Sequence, residues 1–174
     1  MNEPRAILFV GPVFSGKSAF LEVLVESLTT SGLTIGGFVQ RGVFEEEGRK
    51  VGYELVGLSS GTRQRMAWRG EGGTGWRFDE AAFATARNEV RPGADLVVID
   101  EVGWLELDGR GHAAALARAL ECAPVVLLVV REALADRVRQ WLSPQAQVIP
   151  IRFETGRNAE TVEAVRSMII DTAD

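Results

Sequence analysis

The chain has 174 residues, of which 46% are apolar and 25% are charged, and its net charge at pH 7 is −5. This composition is typical of one folded domain, and it excludes disordered, collagen-like and disulfide-framework chains as well as an overall basic surface for nucleic acid or anionic lipid. A single cysteine, Cys122, and a single histidine, His112, exclude an internal disulfide and a histidine-rich metal site.

The first third of the chain predicts a strand, a helix and a β-hairpin. Ala6–Val10 is a short β-prone apolar run closed by a glycine, and Ser18–Thr29 carries its apolar residues at helical spacing. Two further strand patterns, Thr34–Arg41 and Lys50–Leu58, flank a polar, turn-rich segment. This arrangement predicts a hairpin with a charged tip.

The middle of the chain predicts a loop and then a helix. Gly57–Gly75 is rich in Gly, Ser and Arg, and we expect a long ordered loop with room for one short strand around Met66–Trp68. Phe78–Arg91 is predicted to be helical, with Asp79 as its N-cap.

Strands and helices alternate over the rest of the chain. The predicted elements, in order, are strand Asp95–Asp100, helix Gly111–Cys122, strand Val125–Val130, helix Glu132–Leu142, strand Gln147–Arg152 and helix Asn158–Ile170. We expect Cys122 to be a small core residue and His112 to cap or decorate the helix that starts beside it. Alternation predicts a mainly parallel sheet covered on both faces.

The fold class is therefore α/β, with three layers and a mainly parallel sheet of about five strands. We expect one domain over residues 1–174, interrupted by an antiparallel hairpin insertion at about 34–58.

A phosphate-binding motif follows the first strand. Gly11-Pro12-Val13-Phe14-Ser15-Gly16-Lys17-Ser18 fits G-x-x-x-x-G-K-S, the Walker A or P-loop pattern, and it opens a predicted helix as the motif requires. Glycines allow the backbone to wrap an anion, and the helix start, including Ala19, directs N–H groups at the phosphates. Lys17, one of only two lysines in the chain, would reach the β- and γ-phosphates, and the Ser18 hydroxyl would ligate Mg²⁺.

A second motif ends the strand Leu96–Ile99. Asp100 and Glu101 follow this buried run, so both carboxylates are expected at the edge of the sheet where α/β folds bind ligands. This is a Walker B arrangement, in which Asp100 would hold Mg²⁺ and Glu101 would act as the general base on water.

Arginines in three parts of the chain are candidates for stabilising charge on the transferred phosphoryl group. Arg63 lies in the Gly-rich segment, with Arg65 and Arg69 as nearby alternatives, and Arg131 directly follows a predicted strand. Arg110 would act in cis or reach a neighbouring subunit, which leaves a weak homo-oligomer open. For each of these residues, a solvated surface role is the alternative. Glu106 would orient the water, hold an arginine or be purely structural.

These motifs resemble those of the small nucleoside-triphosphatase family, which includes the thermophilic-type and cancer-related nucleoside-triphosphatases. Beyond the P-loop, four segments carry the resemblance: Gly36-Gly37-Phe38, Arg49–Leu55, Ser60-Gly61-Thr62-Arg63 and, most specifically, Ile99-Asp100-Glu101-Val102-Gly103-Trp104-Leu105-Glu106. The resemblance covers roughly residues 5 to 150. It implies a fold related to the RecA/AAA-type ATPases and Mg²⁺-dependent hydrolysis of ATP, GTP and other triphosphates.

Three functions are consistent with the sequence. The leading hypothesis is an Mg²⁺-dependent nucleoside triphosphatase that releases diphosphate and phosphate. The alternatives are a P-loop kinase that phosphorylates a small acceptor, and a nucleotide-binding accessory or switch protein in cofactor assembly. Glu101 favours hydrolysis, because a kinase does not need a residue that activates water.

The expected partners and location follow from what the sequence lacks. The N-terminus leads directly into a strand pattern, and the longest apolar run, Ala123–Val130, is too short to span a bilayer. We expect a cytoplasmic protein whose partner is a nucleoside triphosphate, with no membrane contact and no strong nucleic-acid signal.

Overall fold

Eight strands form one sheet in the computed structural model, which describes residues 3–12, 15–70, 72, 75–154 and 156–171. The strands are β1 (Arg5–Gly11), β2 (Ile35–Phe44), β3 (Lys50–Gly57), β4 (Arg63–Arg69), β5 (Trp76–Phe78), β6 (Leu96–Val102), β7 (Val125–Arg131) and β8 (Gln147–Arg152). Their spatial order is β5-β4-β3-β2-β6-β7-β1-β8.

Six helices of the described residues cover the sheet. They are α1 (Lys17–Thr30), α2 (Glu80–Glu89), α3 (Trp104–Leu107), α4 (Ala113–Cys122), α5 (Ala135–Leu142) and α6 (Asn158–Ile170). A short 3₁₀ turn, Glu132–Leu134, leads from β7 into α5. Among the described residues, no helix is both long and apolar enough to cross a bilayer.

The sheet has a parallel half and an antiparallel half. Strands β2, β6, β7, β1 and β8 pair in parallel, whereas β3, β4 and β5 continue from β2 as an antiparallel meander. The long strand β2 belongs to both halves, because it pairs with β6 only as far as Phe38 and then continues against β3 to Phe44.

Side-chain alternation along the central strands builds the two outer layers. In β1, Ala6, Leu8 and Val10 pack into a core with α2, α4 and α5. Ile7 and Phe9 point to the other face and pack against α1 and α6. Because consecutive strand residues face opposite sides, a fully buried strand reads as a continuous apolar run. The result is the expected three-layer α/β fold.

The elements predicted from sequence agree with the structure, with two corrections. The five parallel strands match the expected number, and the side chain of Asp79 caps α2 by accepting from the Ala81 N–H at 3.0 Å. Within Gly57–Gly75, the short strand expected around Met66–Trp68 is present but longer, as β4 (Arg63–Arg69). The antiparallel insertion is accordingly larger than a hairpin, and together with β5 it brings the sheet to eight strands.

Both edges of the sheet carry features that weaken strand pairing. The edge strand β5 is only three residues long. At the opposite edge, β8 contains Pro150, which has no backbone N–H to donate.

The backbone conformation of Gly37 would direct any side chain into the neighbouring strand. Its φ is 91°, and a Cβ placed on it would come within 1.9 Å of the Val98 carbonyl oxygen on β6. Only glycine fits here, because both the backbone conformation and the space exclude a side chain.

We expect Gly37→Ala to destabilise the fold by more than about 3 kcal/mol, since a methyl group would collide with the β6 backbone. The matched control is Gly48→Ala at the hairpin tip, where φ is 78° and nothing lies within 4 Å of the added Cβ. That variant suffers backbone strain alone and should lose about 1 kcal/mol. Urea unfolding of both variants measures the difference, and equal losses would contradict a steric role for Gly37.

Candidate functional site

The carboxyl ends of β1, β7 and β6 bring the predicted chemistry together. Gly11, the first residue of the P-loop, lies directly opposite Arg131 in the register of β1 and β7. On the other side of β7, Asp100 and Glu101 lie near the carboxyl end of β6. Parallel strands end at one edge of the sheet, so the loop, the two carboxylates and Arg131 share a single cleft.

The P-loop passes directly into α1. Gly16 precedes the helix with φ at 90°, a left-handed conformation that favours glycine, and no side chain caps the helix start. The first-turn N–H groups therefore remain available to an anion. Lys17, Ser18 and Ala19 form that first turn, and Ser18 and Ala19 are exposed. Val13 and Phe14 lie outside the described residues.

Lys17 points back into its own loop. Its ammonium Nζ donates to the Gly11 carbonyl oxygen at 2.9 Å, to the Pro12 carbonyl oxygen and to Ser15 Oγ at 3.3 Å. Burial lowers the pKa of Lys17, while the nearby carboxylates of Asp100 and Glu101 act in the opposite direction. The ammonium thus sits among loop carbonyls at the position where phosphate oxygens are expected.

Asp100 is the most deeply buried acid of the cleft, at 2% exposure. Its Oδ2 accepts the backbone N–H of Gln40 at 2.9 Å. Burial raises the pKa of Asp100 to about 7, and hydrogen bonds from Gln40 and the Ser18 hydroxyl partly oppose that rise. A cation beside this carboxyl would favour its ionised form.

The Ser18 hydroxyl and the Asp100 carboxyl fit a magnesium ion in their chemistry. Both are hard oxygen donors, and they already interact with each other. Within the described part of the chain, no group of three or more His, Cys, Asp or Glu side chains could hold a metal. In proteins, Mg²⁺ is usually bound by one or two carboxylates, with phosphate oxygens and water completing its shell.

Glu101 occupies an unusual backbone conformation. Its φ is 67°, the only positive value among the described non-glycine residues, and the β6–β7 register shifts between Ile99 and Val102. Such a bulge redirects a side chain at the end of a strand. The Glu101 carboxylate contacts the guanidinium of Arg131, and both side chains remain partly exposed.

The candidate arginines are distributed unequally. Arg131 lies in the cleft, whereas Arg63 lies on β4, five strands away from β1, where it pairs with Glu54 at 2.6 Å. Arg65 and Arg69 stack over Trp68 and Trp76, at 4.3 and 4.4 Å from the ring centroids. The structure therefore does not bring Arg63 to the loop. Arg110 is exposed in the turn between α3 and α4.

Glu106 has a structural position. Its carboxylate is buried and accepts the backbone N–H of Gly103 at 2.8 Å and that of His112 at 2.9 Å. These two bonds tie together both ends of the segment that follows Glu101. It contacts no arginine in the hydrogen bonds and ion pairs of the described residues.

The side chain of His112 does not cap or decorate α4 as the sequence predicts. His112 precedes α4, but its side chain makes no capping bond and is buried at 2% exposure, against Phe38 and Phe83. Burial lowers the pKa of His112 to about 4, so the ring is neutral at pH 7. No periodic signal in the sequence indicates this inward orientation, or the part that Gln40 plays beside Asp100.

Comparison with known proteins identifies relatives over most of the chain. A family model described as NTPase matches residues 6–163. The nucleoside-triphosphatase THEP1 of Archaeoglobus fulgidus is 38% identical over 55% of this chain, and the chain covers 58% of that protein's length. The corresponding protein of Methanopyrus kandleri is 30% identical over 74% of each chain.

A solved structure supports the fold over nearly the whole length. The solution structure of a human cancer-related nucleoside triphosphatase superposes with a TM-score of 0.72, at 22% identity, over 95% of this chain and 97% of that one. These matches confirm the resemblance seen in the motifs: the chain belongs to this family of small P-loop NTPases.

Proposed function

We propose that this chain hydrolyses nucleoside triphosphates to diphosphate and phosphate. The observation that carries the proposal is the convergence of Lys17, Asp100 and Glu101 at one sheet edge, directly beside a helix start with free N–H groups. The names of the relatives, which are nucleoside-triphosphatases, support the same activity.

The P-loop would bind the triphosphate. Backbone N–H groups of the first turn of α1, from Lys17 to Ala19, would face the phosphates, and Lys17 would exchange its loop carbonyls for β- and γ-phosphate oxygens. This exchange is favourable because charge-assisted hydrogen bonds to a phosphate are stronger than bonds to neutral carbonyls.

Ser18 and Asp100 would hold Mg²⁺, and Asp100 would do so in its ionised form. When bound, the ion supplies positive charge that offsets the charge developing on the phosphate oxygens.

Glu101 would act as the general base. A water oxygen attacks the γ-phosphorus, the bond from that phosphorus to the β–γ bridging oxygen breaks, and the water proton passes to the Glu101 carboxylate. The products are the nucleoside diphosphate and inorganic phosphate. The preceding residue, Asp100, faces the buried side of the strand, and the bulge at Glu101 would turn the Glu101 carboxylate into the cleft.

Arg131 is the arginine we assign to the reacting phosphate. It lies opposite Gly11 and contacts Glu101, so its guanidinium can both hold the base and reach phosphate oxygens. A cytoplasmic location, as expected from the sequence, would supply both the nucleotide and Mg²⁺.

Phosphate release tests the proposed function directly. Purified protein is incubated with each nucleoside triphosphate and Mg²⁺, without an acceptor or a partner protein. We expect release under these conditions. Release that requires an added acceptor would instead indicate a kinase, and release that requires a partner protein would indicate a switch.

We expect Lys17→Ala to weaken triphosphate binding at least roughly tenfold, because a charge-assisted contact to the phosphates is lost. The other lysine, Lys50, provides the control, because it lies on β3 over the rings of Phe44 and Tyr53. Lys50→Ala should bind as the unmodified protein does. Equilibrium titration with a fluorescent nucleotide measures both, and undiminished affinity in Lys17→Ala would refute the phosphate-loop assignment.

Glu101→Gln should retain nucleotide binding while its turnover falls by a factor on the order of 10² to 10⁴, since the amide cannot take the proton. Glu132→Gln is the control, because Glu132 also lies near the cleft but pairs with Arg152. Single-turnover phosphate release compares the two variants. Unchanged turnover in Glu101→Gln would remove the general-base role.

Arg131→Ala should lower turnover at least roughly tenfold, because its charge is lost beside the γ-phosphate. Arg63→Ala should change turnover by less than about twofold, since it breaks only an exposed ion pair with Glu54. The same assay ranks the two arginines. A larger loss in Arg63→Ala would return the charge-stabilising role to that residue.

A further inference from the structure

A large cavity opens beside the cleft and extends away from the P-loop. Its volume is about 830 Å³. One end is bordered by Pro12, Glu101 and Arg131, and the other by the antiparallel meander, including Trp76 on β5. Cavities of this size hold drug-sized molecules in other proteins.

The cavity lies on the terminal-phosphate side of the proposed nucleotide site. In the proposed function, on which this placement rests, Lys17 and Asp100 flank the terminal phosphates. From Glu101 on β6 to Trp76 on β5 there are four strand spacings, roughly 19 Å. The space therefore begins where the triphosphate ends and continues well beyond it.

The far wall of the cavity is aromatic. Tyr53 and Trp76 lie with their ring centroids 5.1 Å apart, and Phe78 and Phe83 lie 6.0 Å apart, so four rings face the same space. Aromatic faces bind other flat rings through stacking and edge contacts. This wall favours a planar, largely apolar occupant.

The inner wall of the cavity carries an unpaired polar group. Gln40 Nε2 donates to the Asp100 carbonyl oxygen at 3.0 Å and lies 3.2 Å from His112 Nε2. Since the amide nitrogen is a donor, His112 Nε2 must accept, and the neutral ring then carries its proton on Nδ1. His112 Nδ1 has no hydrogen-bond partner among the described residues. This nitrogen is enclosed by protein atoms, so a bound molecule would gain a hydrogen bond to it only after the ring or its neighbours move.

We propose that this cavity binds a second small molecule, a flat aromatic compound with an anionic or hydrogen-bond-accepting edge, alongside the nucleoside triphosphate. The rings of the meander hold its planar body, and its polar edge faces Arg131. Glu101 and Arg131 border both this cavity and the proposed site of hydrolysis, so the occupant lies next to the reacting phosphate.

The test uses 1-anilinonaphthalene-8-sulfonate, a fused-ring anion whose fluorescence rises in apolar surroundings. We expect Trp76→Ala to weaken its binding at least roughly tenfold, because a stacking wall is removed. Trp68→Ala is the matched control. Trp68 is also partly buried and also stacked by an arginine. In the register of β4 and β5, Trp68 lies opposite Arg77 and Trp76 lies opposite Arg69, so the two tryptophans are on opposite faces of these strands. Trp68→Ala should bind the probe unchanged.

A second variant approaches the cavity from its other wall. Ala133 is exposed at the mouth, so Ala133→Trp can fill the opening without disturbing the core, and it should also abolish probe binding. If Trp76→Ala does not fold, Ala133→Trp still tests the proposal. Probe binding that survives both substitutions would overturn the proposal.

A final titration distinguishes a second binding site from a pocket that holds the base of the nucleotide itself. The titration is repeated with saturating adenylyl imidodiphosphate and Mg²⁺, and we expect the probe to bind together with the nucleotide. Competitive displacement would show that the nucleotide itself fills the cavity and would overturn the proposal. The probe titration of the nucleotide-free protein does not depend on hydrolysis. If the probe binds as expected but no phosphate is released, the proposed function is contradicted and the second binding site is not.

Discussion

Where the parallel and antiparallel halves of the sheet meet, a buried hydrogen bond runs from the backbone N–H of Gln40 to the carboxylate of Asp100. Strand β2 pairs with the backbone of β6 only as far as Phe38. Beyond that point, the Asp100 side chain accepts the hydrogen bond from β2. The bond holds β2 beside β6 while β2 runs on into the meander. Because Gln40 also contacts His112, the same bond positions both the proposed metal ligand and the cavity wall.

Asp100 and Glu101 differ because the backbone between them changes direction. Asp100 completes the buried alternation of β6, and burial raises its pKa. Glu101 would face the opposite side of a regular strand, but its positive φ and the bulge place it against Arg131. A backbone of this kind costs on the order of 1 kcal/mol or more and persists where the surrounding packing enforces it. Two consecutive acids thus obtain two environments, one enclosed and one accessible.

The sequence predicted the parallel half of the fold more fully than the antiparallel half. Runs such as Val125–Val130 are buried on both faces and leave little ambiguity, and the P-loop motif defines the first strand and helix together. Strand β4 was predicted only at its centre, around Met66–Trp68, since Arg63, Arg65 and Arg69 resemble a polar loop. Their charges are accommodated at the surface by Glu54 and by tryptophan rings, which are contacts between strands that no local pattern reveals.

The two sheet edges also limit how copies of this chain could associate. An exposed, regular edge strand is a template for pairing with another chain, but β5 offers only three residues and β8 interrupts its donors at Pro150. Growth of the sheet from one molecule into the next is therefore disfavoured at both ends. Self-association of this chain would therefore use its helices or loops rather than the edges of its sheet.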